Sequence, residues 1–201
     1  MIRRRHVLQL SAGLLAYPAL RAGAAPTDGP PPTAAPAAGA SNAPAGRLPL
    51  IQRAIPSTNE LLPVMGMGTS RTFDTDGDPE SLALLGDVLR IFFEHGGKVI
   101  DSSPMYGNAE SRVGDVLRAM QTQPPVFAAT KVWTSGEERG IAQMEESARR
   151  MNVKVFDLIA VHNLMDWKTH LATLKRWKAE GKVRYIGITT SHGRDHDALM
   201  D

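Results

Sequence analysis

Short apolar runs rich in valine and isoleucine return along this chain about every 30 residues, the length of one βα unit. They cover Leu62–Thr69, Lys98–Ser102, Val126–Val132, Asp157–Asn163 and Arg184–Thr190. Continuous rather than alternating apolarity marks strands buried on both faces, as in parallel sheets. Between the runs lie amphipathic patterns of helical spacing. Pro79 follows Asp78, a first helical position after an N-cap, and Leu82, Leu85, Leu89 and Phe92 continue the stripe up to Gly96-Gly97. Val113, Val116, Leu117 and Met120 predict a second helix, and Ile141, Met144, Ala148 and Met151 a third. Leu171, Leu174 and Trp177 predict a fourth, closed by Gly181. The rhythm is that of a parallel α/β fold.

Two architectures share it. A doubly wound dinucleotide-binding sheet opens with Gly-x-Gly-x-x-Gly between strand and helix, whereas Gly66-Met67-Gly68-Thr69-Ser70-Arg71 lacks the third glycine and leads into no immediate helix. A barrel needs no such turn. It also explains why Asp101, Tyr106, Lys131 and His162 stand at or just past the C-terminal ends of different predicted strands, since those ends form the rim on which barrels do chemistry.

The N-terminal residues read differently. Arg3, Arg4 and Arg5 precede a modest apolar stretch, Val7 to Ala19, and Ala22-Gly23-Ala24 offers a small-x-small cleavage site. The pair Arg4-Arg5 directly before that stretch predicts a twin-arginine export signal over residues 1–24, with the twin-arginine export machinery as partner and a periplasmic or exported location. The stretch is too short and too broken by Gly, Ser and Pro to span a bilayer. Residues 25–46 are Pro, Ala and Gly with hardly any charge, a composition that predicts a disordered linker. Folding is expected over residues 47–201.

Composition narrows the chemistry. The net charge of +2 owes much to the arginines of the first five positions, so no basic face for nucleic acid is predicted. Cysteine is absent, which excludes disulfides, thiolate metal sites and a thiol nucleophile. The polar quartet remains. A phenol titrates near ~10, too high for a ready proton donor, and an ammonium beside it favours the phenolate. Lys131 could supply the ammonium, Asp101 could hold it charged and oriented, and His162 could hydrogen-bond a substrate oxygen. Each residue is equally readable alone as a solvated rim charge or a structural histidine.

The motifs around the quartet carry a family resemblance. V-I-D-S-S-P-M-Y-G at residues 99–107 resembles the signature of the aldo-keto reductases, A-T-K-V-W at 129–133 their lysine strand and L-I-A-V-H-N at 158–163 their histidine strand. L-P-V-M-G-M-G-T at 62–69 and G-K-V-R-Y-I-G-I-T at 181–189 are similar to flanking strands, and all five run in family order. The resemblance implies a (β/α)8 TIM barrel of aldo-keto reductase type, truncated after about five βα units, since a closed barrel has eight. It implies an oxidoreductase that reduces an aldehyde or ketone with NADPH, with NADH as the alternative. Tyr106 would be the general acid, Lys131 and Asp101 would tune it, and His162 would orient the carbonyl. Gly68, Thr69, Asn163, Thr189 and Thr190 would contact the cofactor, Thr190 standing where relatives carry an asparagine, and Trp133 would line the pocket or pack. The opposing expectation is a non-catalytic fragment or a cofactor-binding, redox-sensing relative.

Overall fold

The computed structural model describes residues 50–120 and 126–191. The expected signal segment and linker, residues 1–24 and 25–46, lie outside the described residues. A short antiparallel hairpin, β1 (Gln52–Ala54) with β2 (Leu61–Pro63), comes first. Five parallel strands follow: β3 (Met67–Gly68), β4 (Val99–Asp101), β5 (Phe127–Val132), β6 (Phe156–His162) and β7 (Val183–Thr189). Helices α1 (Pro79–Glu94), α2 (Ala109–Ala119), α3 (Glu137–Met151) and α4 (Trp167–Ala179) connect them in turn.

Each strand pairs with its predecessor, in the order β3-β4-β5-β6-β7. A doubly wound sheet reverses its strand order at a switch point, and no reversal occurs among the described strands. The sheet is therefore an arc of a (β/α) barrel, as the rhythm of the sequence predicts. No helix among the described residues is long and apolar enough to cross a membrane.

The helix signals act as their chemistry dictates. The Asp78 carboxylate accepts the Ser81 N–H at 3.0 Å and the Ser81 hydroxyl at 2.6 Å, capping α1 ahead of Pro79. Leu85 and Leu89 of α1, Val113 and Leu117 of α2, Met144 and Met151 of α3, and Leu174 and Trp177 of α4 are buried against Ile100, Val132, Ile159 and Val161 of the sheet. Where α2 crosses α3 the backbones meet: a Cβ on Gly114 would stand 1.8 Å from the Arg150 carbonyl oxygen.

One expected strand is divided. The apolar run Leu62–Thr69 splits into Leu61–Pro63 of the hairpin and Met67–Gly68 of the barrel sheet. The first part pairs antiparallel with Gln52–Ala54, and the second pairs parallel with Ile100 and Asp101. Between them Gly66 passes so near Val99 that a Cβ would lie 3.2 Å from the valine side chain. The hairpin is held to the start of β7, where the Tyr185 hydroxyl meets Thr58 Oγ1 at 2.7 Å and donates to Glu60 Oε2 at 2.6 Å. Arg184 bridges Glu60 and the mostly buried Asp157, whose other oxygen accepts the Ala128 N–H at 2.7 Å. This network closes the end of the sheet opposite the rim that carries Lys131 and His162.

Candidate active site

Register decides which side chains share a face. Asp101 pairs with Ala129, Lys131 with Ala160 and His162 with Thr189. Because side chains alternate along a strand, Asp101, Lys131, His162 and Thr189 project from one face of the sheet near its C-terminal edge. The Lys131 ammonium, with only 5% of the residue exposed, donates to Asp101 Oδ2 at 2.8 Å and to the Ser102 carbonyl oxygen at 2.8 Å. It also stands 5.0 Å from the centroid of the Tyr106 ring, close enough for a cation–π contact. Asp101, Tyr106 and Lys131 are thus brought together. A lysine sunk in the sheet is thus met by a carboxylate and a carbonyl oxygen, the partners that a buried ammonium requires.

Tyr106 sits in the β4–α2 connection, whose backbone is fixed locally. Gly107 has φ of +56°, a conformation that costs a residue with a Cβ, and such a Cβ would fall 2.2 Å from Asp74 Oδ1. Asp74 reaches across from the β3–α1 connection and accepts the Asn108 N–H at 2.8 Å, capping α2 where the Asn108 side chain makes no cap bond.

His162 ends β6, and its Nδ1 lies 2.8 Å from Thr189 Oγ1. That bond fixes the rotation of the imidazole ring. Trp133 packs edge-on to the imidazole, ring centroids 6.3 Å apart, and is 39% exposed at the mouth of the site. Its loop is strapped down at three points: Gln143 Oε1 accepts the Trp133 N–H at 2.7 Å, His170 Nε2 meets the Thr134 carbonyl at 2.7 Å, and Asp166 Oδ2 accepts the Gly136 N–H at 2.7 Å. The Gly136 N–H and the Thr169 hydroxyl hold the Asp166 carboxyl below the ordinary carboxylate range.

The expected cofactor contacts divide. Gly68 is exposed, in register with Asp101, and a Cβ there would meet nothing within 4 Å, so the face beside Asp101 is open at that point. Asn163 adopts φ of +51° and binds Ser191 through both ends of its amide, Oδ1 accepting the Ser191 N–H at 2.8 Å and Nδ2 donating to Oγ at 3.1 Å. Thr189 is committed to His162, and Thr190 follows it half-buried at the rim. The Thr69 side chain is turned away from the face beside Asp101. The residue is fully buried, and its hydroxyl lies within donating distance of the Asp101 carbonyl at 3.0 Å and of Ser102 Oγ at 2.9 Å, so its side chain does not reach the open face.

Sequence reasoning missed Ser102, Asp74, Ser191 and Glu110. Glu110 lies in the first turn of α2 with 1% of its surface exposed, and its Oε1 accepts the Thr130 hydroxyl at 2.7 Å, one residue before Lys131. Burial pushes its carboxyl above the ordinary range, against the pull of Thr130, Ser147 and Arg150. A glutamate at a helix start reads in sequence as a solvated charge favoured by the helix dipole. Only the strand packed beneath it shows otherwise.

The pattern of the Aldo/keto reductase family matches residues 64–198. The chain is 31% identical over 144 residues to methylglyoxal reductase YeaE of Escherichia coli, an alignment covering 69% of this chain and 49% of that protein. A crystal structure of an aldo-keto reductase from Klebsiella pneumoniae in complex with NADPH aligns with a TM-score of 0.61 at 24% identity, covering 75% of this chain and 54% of the other. A second from the same organism, with NADP and acetate, aligns with a TM-score of 0.59 at 26% identity over 71% and 50% of the two chains. The chain spans half or less of the length of the curated relatives it matches. By its matched residues and by the strand order of its barrel arc, the chain belongs to the aldo/keto reductase family.

Proposed function

We propose that the chain carries the proton-transfer half of a reductase that converts an aldehyde or ketone to an alcohol with NADPH, NADH being the alternative. The observation that carries the reading is the Lys131 ammonium, set between the Asp101 carboxylate and the Tyr106 ring. Tyr106 donates its phenolic proton to the carbonyl oxygen as that oxygen gains negative charge. The ammonium stabilises the phenolate left behind, and Asp101 keeps the ammonium in place. His162, its ring fixed through Thr189, donates a hydrogen bond to the same oxygen and orients it. Trp133 walls the mouth and excludes water.

The residues present fit the amide-bearing end of a nicotinamide. The face beside Asp101 is open at Gly68, and at the same rim stand Thr190, with a hydroxyl, and Asn163, whose NH₂ has a second N–H beyond its bond to Ser191, groups suited to a carboxamide oxygen. When bound, the reduced nicotinamide supplies a hydride to the carbonyl carbon, and with the proton from Tyr106 the alcohol is complete. The relative named a methylglyoxal reductase supports a small aldehyde as the first substrate to try. The test is aldehyde-dependent oxidation of NADPH, with Tyr106→Phe expected to lower turnover by about 10²–10⁴. A variant as fast as the wild type would sink the mechanism.

We further propose that residues 1–24 export the protein through the twin-arginine machinery to the periplasm and that residues 25–46 tether the folded unit, readings supported by the Arg4-Arg5 pair and by composition. Arg4→Lys together with Arg5→Lys should retain the protein in the cytoplasm on fractionation. Unchanged export would overturn this.

A further inference from the structure

We infer that Thr69 and Ser102 are positioning residues for Lys131, a pair of hydroxyls behind the sheet that fixes the Asp101–Ser102 peptide, whose two flanking residues carry the lysine's acceptors. The inference rests on the reading of Lys131 given under Proposed function. Both residues are fully buried. Gly68 is in register with Asp101, so the next residues, Thr69 and Ser102, project from the face opposite to Asp101 and Lys131. There the Thr69 hydroxyl lies within donating distance of two acceptors, Ser102 Oγ at 2.9 Å and the Asp101 carbonyl at 3.0 Å. The Thr69 N–H donates to that same carbonyl at 3.1 Å, and the Ser102 N–H to the Ala129 carbonyl at 2.9 Å.

The Asp101–Ser102 unit is thereby held from β3 on one side and β5 on the other. Two of its oxygens, Asp101 Oδ2 and the Ser102 carbonyl, both accept from the Lys131 ammonium at 2.8 Å. An ammonium has three N–H donors. With two fixed by acceptors carried on either flank of one held peptide, the direction of the third is set, and the Tyr106 ring lies 5.0 Å away. Displacing the Asp101–Ser102 peptide would shift the two α-carbons from which these acceptors extend. The Thr69 hydroxyl bears directly on that peptide, and it is spent behind the sheet rather than on a ligand.

The experiment uses the chain labelled with ¹⁵N-lysine. A buried, doubly hydrogen-bonded ammonium exchanges its protons slowly, so Lys131 should give a side-chain signal that is missing in Lys131→Met. Thr69→Val keeps the shape and removes the hydroxyl, and it should speed that exchange about tenfold, whereas Thr69→Ser should leave it near the wild-type rate. Ser102→Ala should reproduce the effect of Thr69→Val, and the double variant should be no worse than either single one, because the two act as a unit. Circular dichroism confirms the fold of each, and Ser102→Ala serves if Thr69→Val does not fold. In turnover, Thr69→Val should lower kcat about tenfold at unchanged KM, with rescue by serine. An unchanged Lys131 exchange rate in folded Thr69→Val, additive effects in the double variant, or no Lys131 signal in the wild type would each overturn the inference. Full activity in Tyr106→Phe would instead remove the proposed function and leave the lysine result standing.

Discussion

Replacing Glu110 with glutamine should make the protein more stable near neutral pH, although it deletes a buried charge with a cation nearby. Two polar atoms behind Lys131 have no hydrogen-bond partner, Glu110 Oε2 and Ser147 Oγ. Ser147 is near enough to favour the charged carboxyl, yet the pair falls short of hydrogen-bond geometry. Each buried polar group left unsatisfied costs about 1–3 kcal/mol. In Glu110→Gln the amide oxygen can still accept the Thr130 hydroxyl, and the new NH₂ can donate to Ser147 Oγ, so both orphaned atoms gain partners. Against this stands the loss of attraction to Arg150, whose Nη1 is 4.0 Å from Oε2 and which already pairs with Glu146 at 2.6 Å. A partly exposed pair of that kind contributes about 0–1 kcal/mol. The net expectation is a gain of about 1–2 kcal/mol, or about 2–4 °C in Tm per kcal/mol for a folded unit of this size. The pH dependence has a definite sign. Burial raises the folded value above the ordinary 4.5, so the glutamate's contribution is complete below about that pH and is lost as pH rises through the folded value. Thermal unfolding followed by circular dichroism at about pH 4 and about pH 8 should show the two proteins alike in acid and the glutamine variant more stable in base. A variant less stable in base would mean that Glu110 is ionised and firmly paired with Arg150, and the reasoning would be wrong.

Two further outcomes are expected from backbone geometry. Gly114→Ala adds a carbon 1.8 Å from the Arg150 carbonyl, with backbone on both sides of the contact, so α2 and α3 must part. The overpacking cost of about 1–3 kcal/mol or more exceeds the helix-propensity gain of about 1 kcal/mol, and Tm should fall; an unchanged or higher Tm would refute the close approach. Gly107→Ala meets both a positive φ and the Asp74 carboxylate, so it should displace the Tyr106 turn and lower turnover far more than it lowers Tm. Equal losses would show that the turn supports only the fold.

How far the sequence could be read follows from how local each signal is. Helix α1 was legible from Asp78-Pro79 and its leucine spacing, because capping and amphipathicity are settled within a few residues. Asp101, Lys131 and His162 were legible because each ends a run of β-branched and apolar residues, and strand ends on one rim converge. The hairpin was not. Its first strand, Gln52–Ala54, is exposed throughout and carries no apolar alternation, so nothing local separates Leu61–Pro63 from the barrel strand that follows. Nor was the bridge from Glu60 to Arg184, whose partners are remote in sequence and meet only once β7 lies beside β6.

Thr69 shows why motif position alone does not fix where a side chain points. A one-residue step along a strand exchanges the two faces of a sheet, so neighbours in one motif can serve opposite sides. Gly68 stays on the open face with Asp101, while Thr69 turns behind it to Ser102. The β3–β4–β5 strip therefore carries two hydrogen-bonded layers back to back. In front, the Lys131 ammonium joins Asp101 beneath Tyr106; behind, two buried hydroxyls back the end of β4 and, one strand farther along, the Thr130–Glu110 contact backs β5 beside Lys131. The rear layer sees neither substrate nor solvent, so its substitutions should act on the ammonium's geometry, and hence on turnover, before they act on ligand affinity. Thr69→Val is the most direct probe of that separation, since it changes the rear layer without touching any atom on the open face.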